Sequence, residues 1–493
     1  MISLRTADAL QREQAAIART TFLALLALLI PAIAATLILP ALGIALAILP
    51  AALILIWFWH APIRGVYVLV AAAAMIEIFP LGFADSLTDR VPFFLNLDTS
   101  GLAPVAITPA EIVMIVAIAI GLAKATAEGE LRLPTGRLVA PYVAFVLVTV
   151  MSEIRGLAAG GDFRISLWEL RPQVYGFIVF VLVSSLVTER RHVSRLAFLA
   201  LAAVSLKALI GTYRYAVTLH RGTGGLDAIL GHEDSYFLGL LLVAVVVALL
   251  WRADRRVVVP LLLVAPLAGI ALLANERRVG IIALAAGLTV VALLAFRAQP
   301  RQRRRIMLGA AAGLVALAVF IPAYWNHDYG FAGQILRPVR ALVGVASPRD
   351  ISSDQYRVSE NADIVAAFRS NPLIGIGFGR PMPAVVPLAD ISHIYPFWNY
   401  IPHNTILWVG MRMGIIGMVA FWGLVGMALL EGVHQSAHQR SRLLSAAAAF
   451  VTAAVVAELV MAYGDIQLEN YRNLIFFGAA LGLLNRLPRM TDA

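Results

Sequence analysis

A histidine stands where a long polar stretch ends and an apolar one begins, at His403. An imidazole has an unperturbed pKa of about 6.5, so it can transfer protons near neutrality. At about 100° per residue, Gly410, Gly414 and Gly417 fall within roughly 40° of His403 on one helical stripe, with Arg412 on the opposite side. Small residues at this spacing let a neighbouring backbone approach closely. The pattern predicts a smooth, tightly held helix that presents a fixed base; helix capping or headgroup binding by His403 is the alternative.

Paired arginines indicate an anion site. Arg277 and Arg278 lie in a short turn between two apolar runs, at headgroup depth, where a guanidinium fork fits a phosphate in a bidentate manner. The alternative is that they reach ordinary lipid headgroups. Further arginines on the same side could complete an anionic pocket, although the sequence does not show which of them converge. These are Arg155, Arg164, Arg171 and Arg221.

Two short motifs have structural alternatives. The glycine-rich run 375–379 could form a backbone nest for an anion, but a turn that redirects the chain is the favoured interpretation. His232, Glu233 and Asp234 could be metal ligands or an acid–base pair, yet three adjacent residues cannot all face one ion in regular structure. A helix cap at Asp234 or Ser235 is the favoured interpretation there.

Two charges, Lys207 and Arg412, fall inside apolar runs. Charged residues inside membrane spans are functional by default. We expect Lys207 to lie near enough to the outer surface to join the anion site. For Arg412 we expect a structural role.

The elements that must position these residues are membrane helices. Of the 493 residues, 60% are hydrophobic and 14% charged, and the apolar runs are long enough to cross a bilayer. The net charge of +10 comes from arginines that lie mainly in short loops, so it indicates no nucleic-acid partner. The chain has no cysteine, which excludes disulfides and thiolate chemistry. We predict an all-α, polytopic transmembrane helix bundle.

About 12–14 spans are expected, with the amino terminus inside according to the positive-inside rule. The organisation would be an N-terminal bundle over 1–321, a long periplasmic loop over 322–402 and C-terminal helices over 403–493. The candidate spans are 22–39, 42–59, 65–79, 105–123, 138–151, 173–187, 196–216, 236–251, 257–274, 279–296, 306–322, 404–430, 443–463 and 471–486.

The loop over 322–402 is far longer than the usual connection of about 4–6 residues. Its segment 354–370 has helical apolar spacing at Val358, Ala362, Val365 and Phe368. This spacing predicts one or two surface helices that pack over the membrane face.

A family resemblance rests on His403-Asn404 followed, after nine residues, by Gly414-x-x-Gly417. This pattern resembles the signature of the O-antigen ligase and O-antigen polymerase superfamily. Arg357 with the segments 362–366 and 371–377, and the Glu276-Arg277 turn, agree with it. The resemblance covers chiefly 271–422. Many relatives have about twelve spans, and an Asn often stands near the position of Glu233-Asp234, so the subfamily is left open.

The resemblance implies a membrane glycosyltransferase of the C type, in the bacterial inner membrane with its active site facing the periplasm. The enzyme would be metal-independent and inverting, with no cofactor. It would move a glycan from undecaprenyl pyrophosphate to a glycan or lipid A core acceptor. His403 would activate the acceptor hydroxyl. The candidate pyrophosphate ligands are Arg277, Arg278, Arg155, Arg221 and Arg357.

A lipid-linked oligosaccharide flippase is the main alternative, because such transporters also have many spans and interior cations. The long outer loop argues against it. Transporters also tend to carry paired repeats and midplane sites, whereas the informative residues here collect on one face. A non-catalytic assembly protein is a further alternative. The residues do not distinguish a ligase from a surface or exopolysaccharide polymerase, and they do not give the sugar, the linkage or the oligomeric state.

Overall fold

The computed structural model describes residues 53–78, 88, 91–97, 106–127, 134–221, 228–327, 330–345, 347–392 and 395–490. These residues form helices, turns and loops, and no β-strand occurs among them. The helices in chain order are α1 (Leu53–His60), α2 (Ile63–Met75), α3 (Pro109–Ala127), α4 (Val139–Ala158), α5 (Phe163–Leu186), α6 (Arg190–Tyr213), α7 (Asp234–Leu250), α8 (Arg255–Ala274), α9 (Arg278–Ala298), α10 (Arg303–Tyr324), α11 (Gly330–Leu342), α12 (Pro348–Ser370), α13 (Thr405–His438), α14 (Arg442–Gly464) and α15 (Tyr471–Arg486).

The predicted all-α polytopic bundle is confirmed. In the part of the chain that the structure describes, nine helices are long and apolar enough to cross a membrane, or ten if the bent pair α1 and α2 is one span. Each predicted span from residue 65 onward overlaps a helix in the described residues. The predicted span 22–39 lies outside the described residues, as does most of 42–59. The division of the chain into an N-terminal bundle, a long loop and C-terminal helices, with boundaries at 321/322 and 402/403, stays a prediction.

The chain divides into two compact units, residues 1–69 with 92–133 and residues 70–91 with 134–493. In the first unit, Gly65 of α2 lies against α3, where an added Cβ would be 2.8 Å from the Cβ of Ala117. Lys124 at the end of α3 donates a hydrogen bond to the His60 carbonyl (3.3 Å). A glycine therefore sets the close approach of α2 and α3 in this unit.

The second unit contains the candidate site. Its helices α5 and α15 meet at Gly176 and Gly478, where a Cβ on Gly478 would collide with the Gly176 carbonyl. Small residues allow this backbone contact, as expected of helix pairs in membranes. At the other end of the unit, Trp251 donates to the Ser445 hydroxyl (2.7 Å) inside a core that includes Val291.

The smooth glycine stripe predicted after His403 is wrong, because α13 breaks at Gly414. Gly414 has φ 64° and ψ −161°, a conformation reached almost only by glycine. The amide groups that leave the helix there bond to another segment: Ile415 donates to the Pro372 carbonyl (2.8 Å). Gly414 is therefore required by backbone conformation and not by a helical seam.

The glycine-rich run 375–379 is a packing turn, as favoured from the sequence. Gly375, Gly377 and Gly379 all have φ between 68° and 85°. The Gly377 amide donates to the Arg412 carbonyl (3.1 Å) and the Gly379 amide to the buried Glu169 carboxylate (2.7 Å). These amides are already bonded within the protein, so the anion-nest alternative is not supported.

The long loop contains two helices, α11 and α12, as the spacing predicted. α12 begins at a Ser347 cap whose hydroxyl accepts from the Asp350 amide (3.2 Å), with Pro348 in the first turn. It ends before Asn371-Pro372, where a proline disfavours further helix. α12 presents the residues that meet His403 and the arginines.

Candidate active site

His403 occupies a fixed position immediately before α13. The next residue, Asn404, caps that helix by accepting from the Leu407 amide (3.1 Å). Thr405 donates to the Ala462 carbonyl at the end of α14 (3.1 Å). Two adjacent anchors therefore fix the backbone that carries the imidazole.

A buried carboxylate orients the His403 ring. The Nδ1 atom of His403 lies 3.1 and 3.2 Å from the two carboxylate oxygens of Glu360 on α12. Glu360 also accepts from the His403 backbone amide (2.9 Å). The Glu360 side chain is 1% exposed, whereas that of His403 is 24% exposed. Because a carboxylate only accepts, we assign the proton to Nδ1, which leaves Nε2 to accept a proton.

Tyr356 lies one helical turn before Glu360 and packs edge-on against His403, with ring centroids 5.8 Å apart. Within the described residues its hydroxyl is buried without a hydrogen-bond partner. Burial, followed by the negative charges of Glu360 and Asp390, raises the pKa of Tyr356 to about 12. Tyr356 therefore stays neutral and keeps a hydrogen to donate beside His403.

A second carboxylate, Asp465, follows α14 and gathers cationic groups. His232 Nδ1 lies 3.8 Å from Asp465 Oδ2, and the Arg277 guanidinium contacts His232 Nε2. Burial alone would raise the pKa of Asp465, but the contact with His232 and the charges of His232, Arg277 and His403 hold it below its usual range. Asp465 is therefore an anion within the electrostatic reach of both Arg277 and His403.

Arg278, in contrast, is committed to α12. Its guanidinium makes a bidentate pair with Asp354 (2.7 and 3.1 Å), and Nε lies 3.4 Å from Asp350. Asp350 also binds Arg337 of α11 (2.7 Å). Burial would raise the pKa of Asp350, but the hydrogen bond from Arg337 and the charges of Arg337 and Arg278 lower it. This network ties α9, α11 and α12 together.

Arg357 joins the edge of the same network, 3.8 Å from Asp354. Its side chain is 26% exposed, and its Nε is buried without a partner among the residues that the structure describes. Arg357 therefore has donor capacity left for a ligand.

Residues 265–422 match the family model described as O-Antigen ligase. This match supports a place for the chain in the O-antigen ligase superfamily. The matched region contains the arginine pair, Glu360 and His403, while Asp465 and His232 lie outside it. No curated protein matches the chain. The family supports a membrane glycosyltransferase of the O-antigen ligase or polymerase type.

Two of the predicted arginines, Arg155 and Arg221, lie elsewhere. Arg155 of α4 donates to the Asn371 side chain (2.7 Å) and the Ile374 carbonyl (3.2 Å), so it clamps the segment after α12. Arg221 is exposed in a turn, with φ 67°. Asp465 thus links Arg277 with His403, and Asp354 links Arg278 with Arg357. The contacts of Arg155 and Arg221 bring neither residue to these two groups.

The motif 232–234 divides between two environments. His232 faces Arg277 and Asp465, while Asp234 is paired with Arg472 of α15 (2.6 Å) and with Lys207 (3.3 Å). Glu233, not Asp234 or Ser235, is the cap residue of α7, and its side chain makes no capping bond. The predicted cap residue is therefore wrong, because the carboxylate of Asp234 is used to neutralise buried cations.

Lys207 does not have the role expected of it. Its ammonium is fully buried and contacts Glu77, Asp234 and the Thr88 hydroxyl. Arg412 does have the structural role expected: it is fully buried, pairs with Glu169 (2.6 Å) and donates to the Tyr400 carbonyl (2.8 Å). Both cations neutralise buried carboxylates, so the loss of either one would leave an uncompensated buried charge.

Sequence reasoning missed Glu360, Tyr356 and Asp465. Tyr356 and Glu360 are four residues apart, so they share one face of a helix, and this spacing was a usable signal. Asp465 directly follows an apolar run, but its relation to His232 depends on how α7 and α14 pack. Among the described residues, no group of three or more His, Asp or Glu side chains is placed to hold a metal ion.

Proposed function

We propose that the protein transfers a glycan from undecaprenyl pyrophosphate to a sugar hydroxyl at the periplasmic face of the bacterial inner membrane. The observation that carries the proposal is the His403–Glu360 pair, set beside Arg277 and Arg357 within an O-antigen ligase region. A base and nearby guanidinium groups are the parts that displacement of a pyrophosphate requires.

The acceptor hydroxyl would lie at Nε2 of His403. Its oxygen attacks the anomeric carbon as the bond from that carbon to the pyrophosphate oxygen breaks, and its proton passes to Nε2. Glu360 stabilises the imidazolium that forms. The free hydroxyl of Tyr356 can donate a hydrogen bond to the acceptor sugar. A single displacement inverts the configuration at the anomeric carbon.

The departing pyrophosphate gains negative charge in the transition state, which cationic groups can stabilise. Arg277 is the first candidate for this role, because its guanidinium meets the half-exposed His232 beside Asp465, whose charge also reaches His403. Arg357 is the second, because its Nε has no protein partner in the described structure. Arg278 would act indirectly, by holding α12 and therefore Glu360 in place.

Metal independence is part of the proposal. The test is transfer by the purified protein from an undecaprenyl-pyrophosphate-linked glycan, with and without EDTA. We expect equal rates in both, release of undecaprenyl pyrophosphate and an inverted linkage in the product by NMR. Transfer that stops in EDTA, or retains the configuration, would contradict this mechanism.

The acceptor distinguishes the two enzyme types within the family. Transfer to lipid A core sugar would make the protein a ligase, and transfer to a second lipid-linked repeat would make it a polymerase. Movement of an intact fluorescent lipid-linked glycan across liposomes, without transfer, would favour the flippase alternative.

A further inference from the structure

An apolar cavity of about 190 Å³ lies between α6, α7, α8, α14 and α15. It is lined by Leu196, Val247, Val257, Ala446 and Leu483, among others. These residues lie at the ends of the helices farthest from the candidate active site, because α7 begins beside His232 and α14 ends beside Asp465. The cavity is therefore separate from the catalytic groups.

The lining consists only of valine, leucine, alanine and phenylalanine side chains. A dry apolar cavity of about 150 Å³ is large enough to bind benzene. The cavity is also partly open toward the outside of the bundle, at the level of membrane-spanning helices. Its shape and chemistry fit a stretch of hydrocarbon chain.

Basic residues adjoin the cavity on several helices. Arg195, Arg256 and Arg442 each directly precede a lining residue, namely Leu196, Val257 and Leu443. All three arginines are exposed. Arg256 and Arg442 lie in the first turns of α8 and α14, and Arg195 lies in the second turn of α6, so all three are at the helix ends that line the cavity.

A fourth arginine has donor capacity left inside the protein. Arg486 lies three residues after the lining residue Leu483, on the same face of α15. Its Nε is buried and has no hydrogen-bond partner among the residues the structure describes. The acidic residues nearby in sequence are Glu189, which pairs with Arg191, and Asp254. Positive charge predominates at this end of the cavity.

We infer that the cavity binds one acyl chain of an anionic phospholipid, whose phosphate is held by Arg195, Arg256, Arg442 and Arg486. A purely apolar ligand would account for the apolar lining but not for the arginines. Ordinary contacts with lipid headgroups would account for the arginines but not for the cavity. On three helices an exposed arginine adjoins a lining residue, and a ligand with a hydrocarbon chain and an anionic head fits both features. By the positive-inside rule, this end faces the cytoplasm, so the lipid comes from the inner leaflet. The inference does not depend on the reaction at His403.

The test is native mass spectrometry of the full chain in detergent, with phosphatidylglycerol and phosphatidylcholine of equal acyl length. We expect preferential binding of phosphatidylglycerol to the wild type. A single basic side chain near an anionic lipid strengthens binding about fivefold, so the triple variant Arg195→Gln, Arg256→Gln, Arg442→Gln should bind on the order of 100-fold more weakly.

The matched control is Arg301→Gln, Arg304→Gln, Arg305→Gln, which removes the same charge from exposed arginines before and in the first turn of α10. These residues do not line the cavity, so the control should retain wild-type affinity. An equal loss in both triple variants would show a diffuse charge effect and overturn the inference.

A second pair of variants tests the hydrocarbon part without a charge change. Ala446→Phe fills the cavity and should reduce phosphatidylglycerol binding, whereas Ala437→Phe, at a half-buried position of α13 outside the lining, should not. Equal affinity for the two phospholipids in the wild type would contradict the inference. Displacement of phosphatidylglycerol by a lower concentration of polyprenyl phosphate would also contradict it, and would assign the cavity to the carrier lipid.

Discussion

Glu360→Gln isolates the proposed role of the carboxylate that orients His403. In the wild type, the carboxylate accepts from both the backbone amide and Nδ1 of His403. Glutamine has the same shape, and its oxygen can still accept from the backbone amide. Its amide nitrogen would then face Nδ1 and favour the tautomer in which Nδ1 is unprotonated. Nε2 would carry the proton and could no longer act as a base.

The magnitude follows from the bond that is lost. A hydrogen bond to a charged group contributes about 1.5–3 kcal/mol. This bond strengthens as the imidazolium forms, so its loss should lower kcat by about 10- to 150-fold. The KM for the donor should change little, because Glu360 contacts His403 and not the arginines.

The assay is the initial rate of glycan transfer by purified variants, with the melting temperature as a check on folding. Glu360→Asp keeps the charge and should recover part of the rate. The control is Glu153→Gln, since Glu153 is also buried and accepts from the Ser166 hydroxyl (2.8 Å), away from His403. Wild-type kcat in Glu360→Gln, or an equal loss in Glu153→Gln, would refute the reasoning.

The other predictions separate residues that bind the donor from residues that stabilise the fold. Arg277→Gln should raise the donor KM or abolish transfer with little change in melting temperature, whereas Arg278→Gln should mainly lower the melting temperature, because it breaks the pairs with α12; the reverse pattern would exchange the two roles. Gly414→Ala should destabilise the protein by about 3 kcal/mol or more in thermal melts, because its φ is 64° and a Cβ would collide with backbone. Gly423→Ala, in open space on the same helix, should be neutral or stabilise by up to about 1 kcal/mol. Asp465 has a lowered pKa, so its stabilising effect is present above about pH 4 and lost as the pH falls, and Asp465→Asn should reduce the loss of melting temperature between about pH 5 and 2.

The helices were predictable because long apolar runs admit few other structures in a membrane. Helical spacing also predicted α12 within the loop. Both parts of the family pattern, His403-Asn404 and Gly414-x-x-Gly417, were visible in the sequence. The break at Gly414 was not, because the requirement for positive φ arises only when carbonyls of the segment after α12 accept hydrogen bonds from amides of α13.

Side-chain partners across distant segments were the least predictable part of the site. Arg277 and Arg278 are adjacent and look equivalent in sequence. Arg277 nevertheless contacts His232, whereas Arg278 pairs with two aspartates of α12. Local pattern fixes which residues share a helix face. It does not fix which loop carboxylate reaches which arginine, because that depends on tertiary packing.

The most direct test of the central claim is the fate of the glycan in a deletion strain complemented with wild type or His403→Ala. Mass analysis would compare glycan on undecaprenyl pyrophosphate with glycan on the acceptor. We predict that the wild type restores acceptor-linked glycan and that His403→Ala leaves it on the lipid pyrophosphate. A wild-type glycan pattern in His403→Ala would contradict the account and make His403 a structural residue.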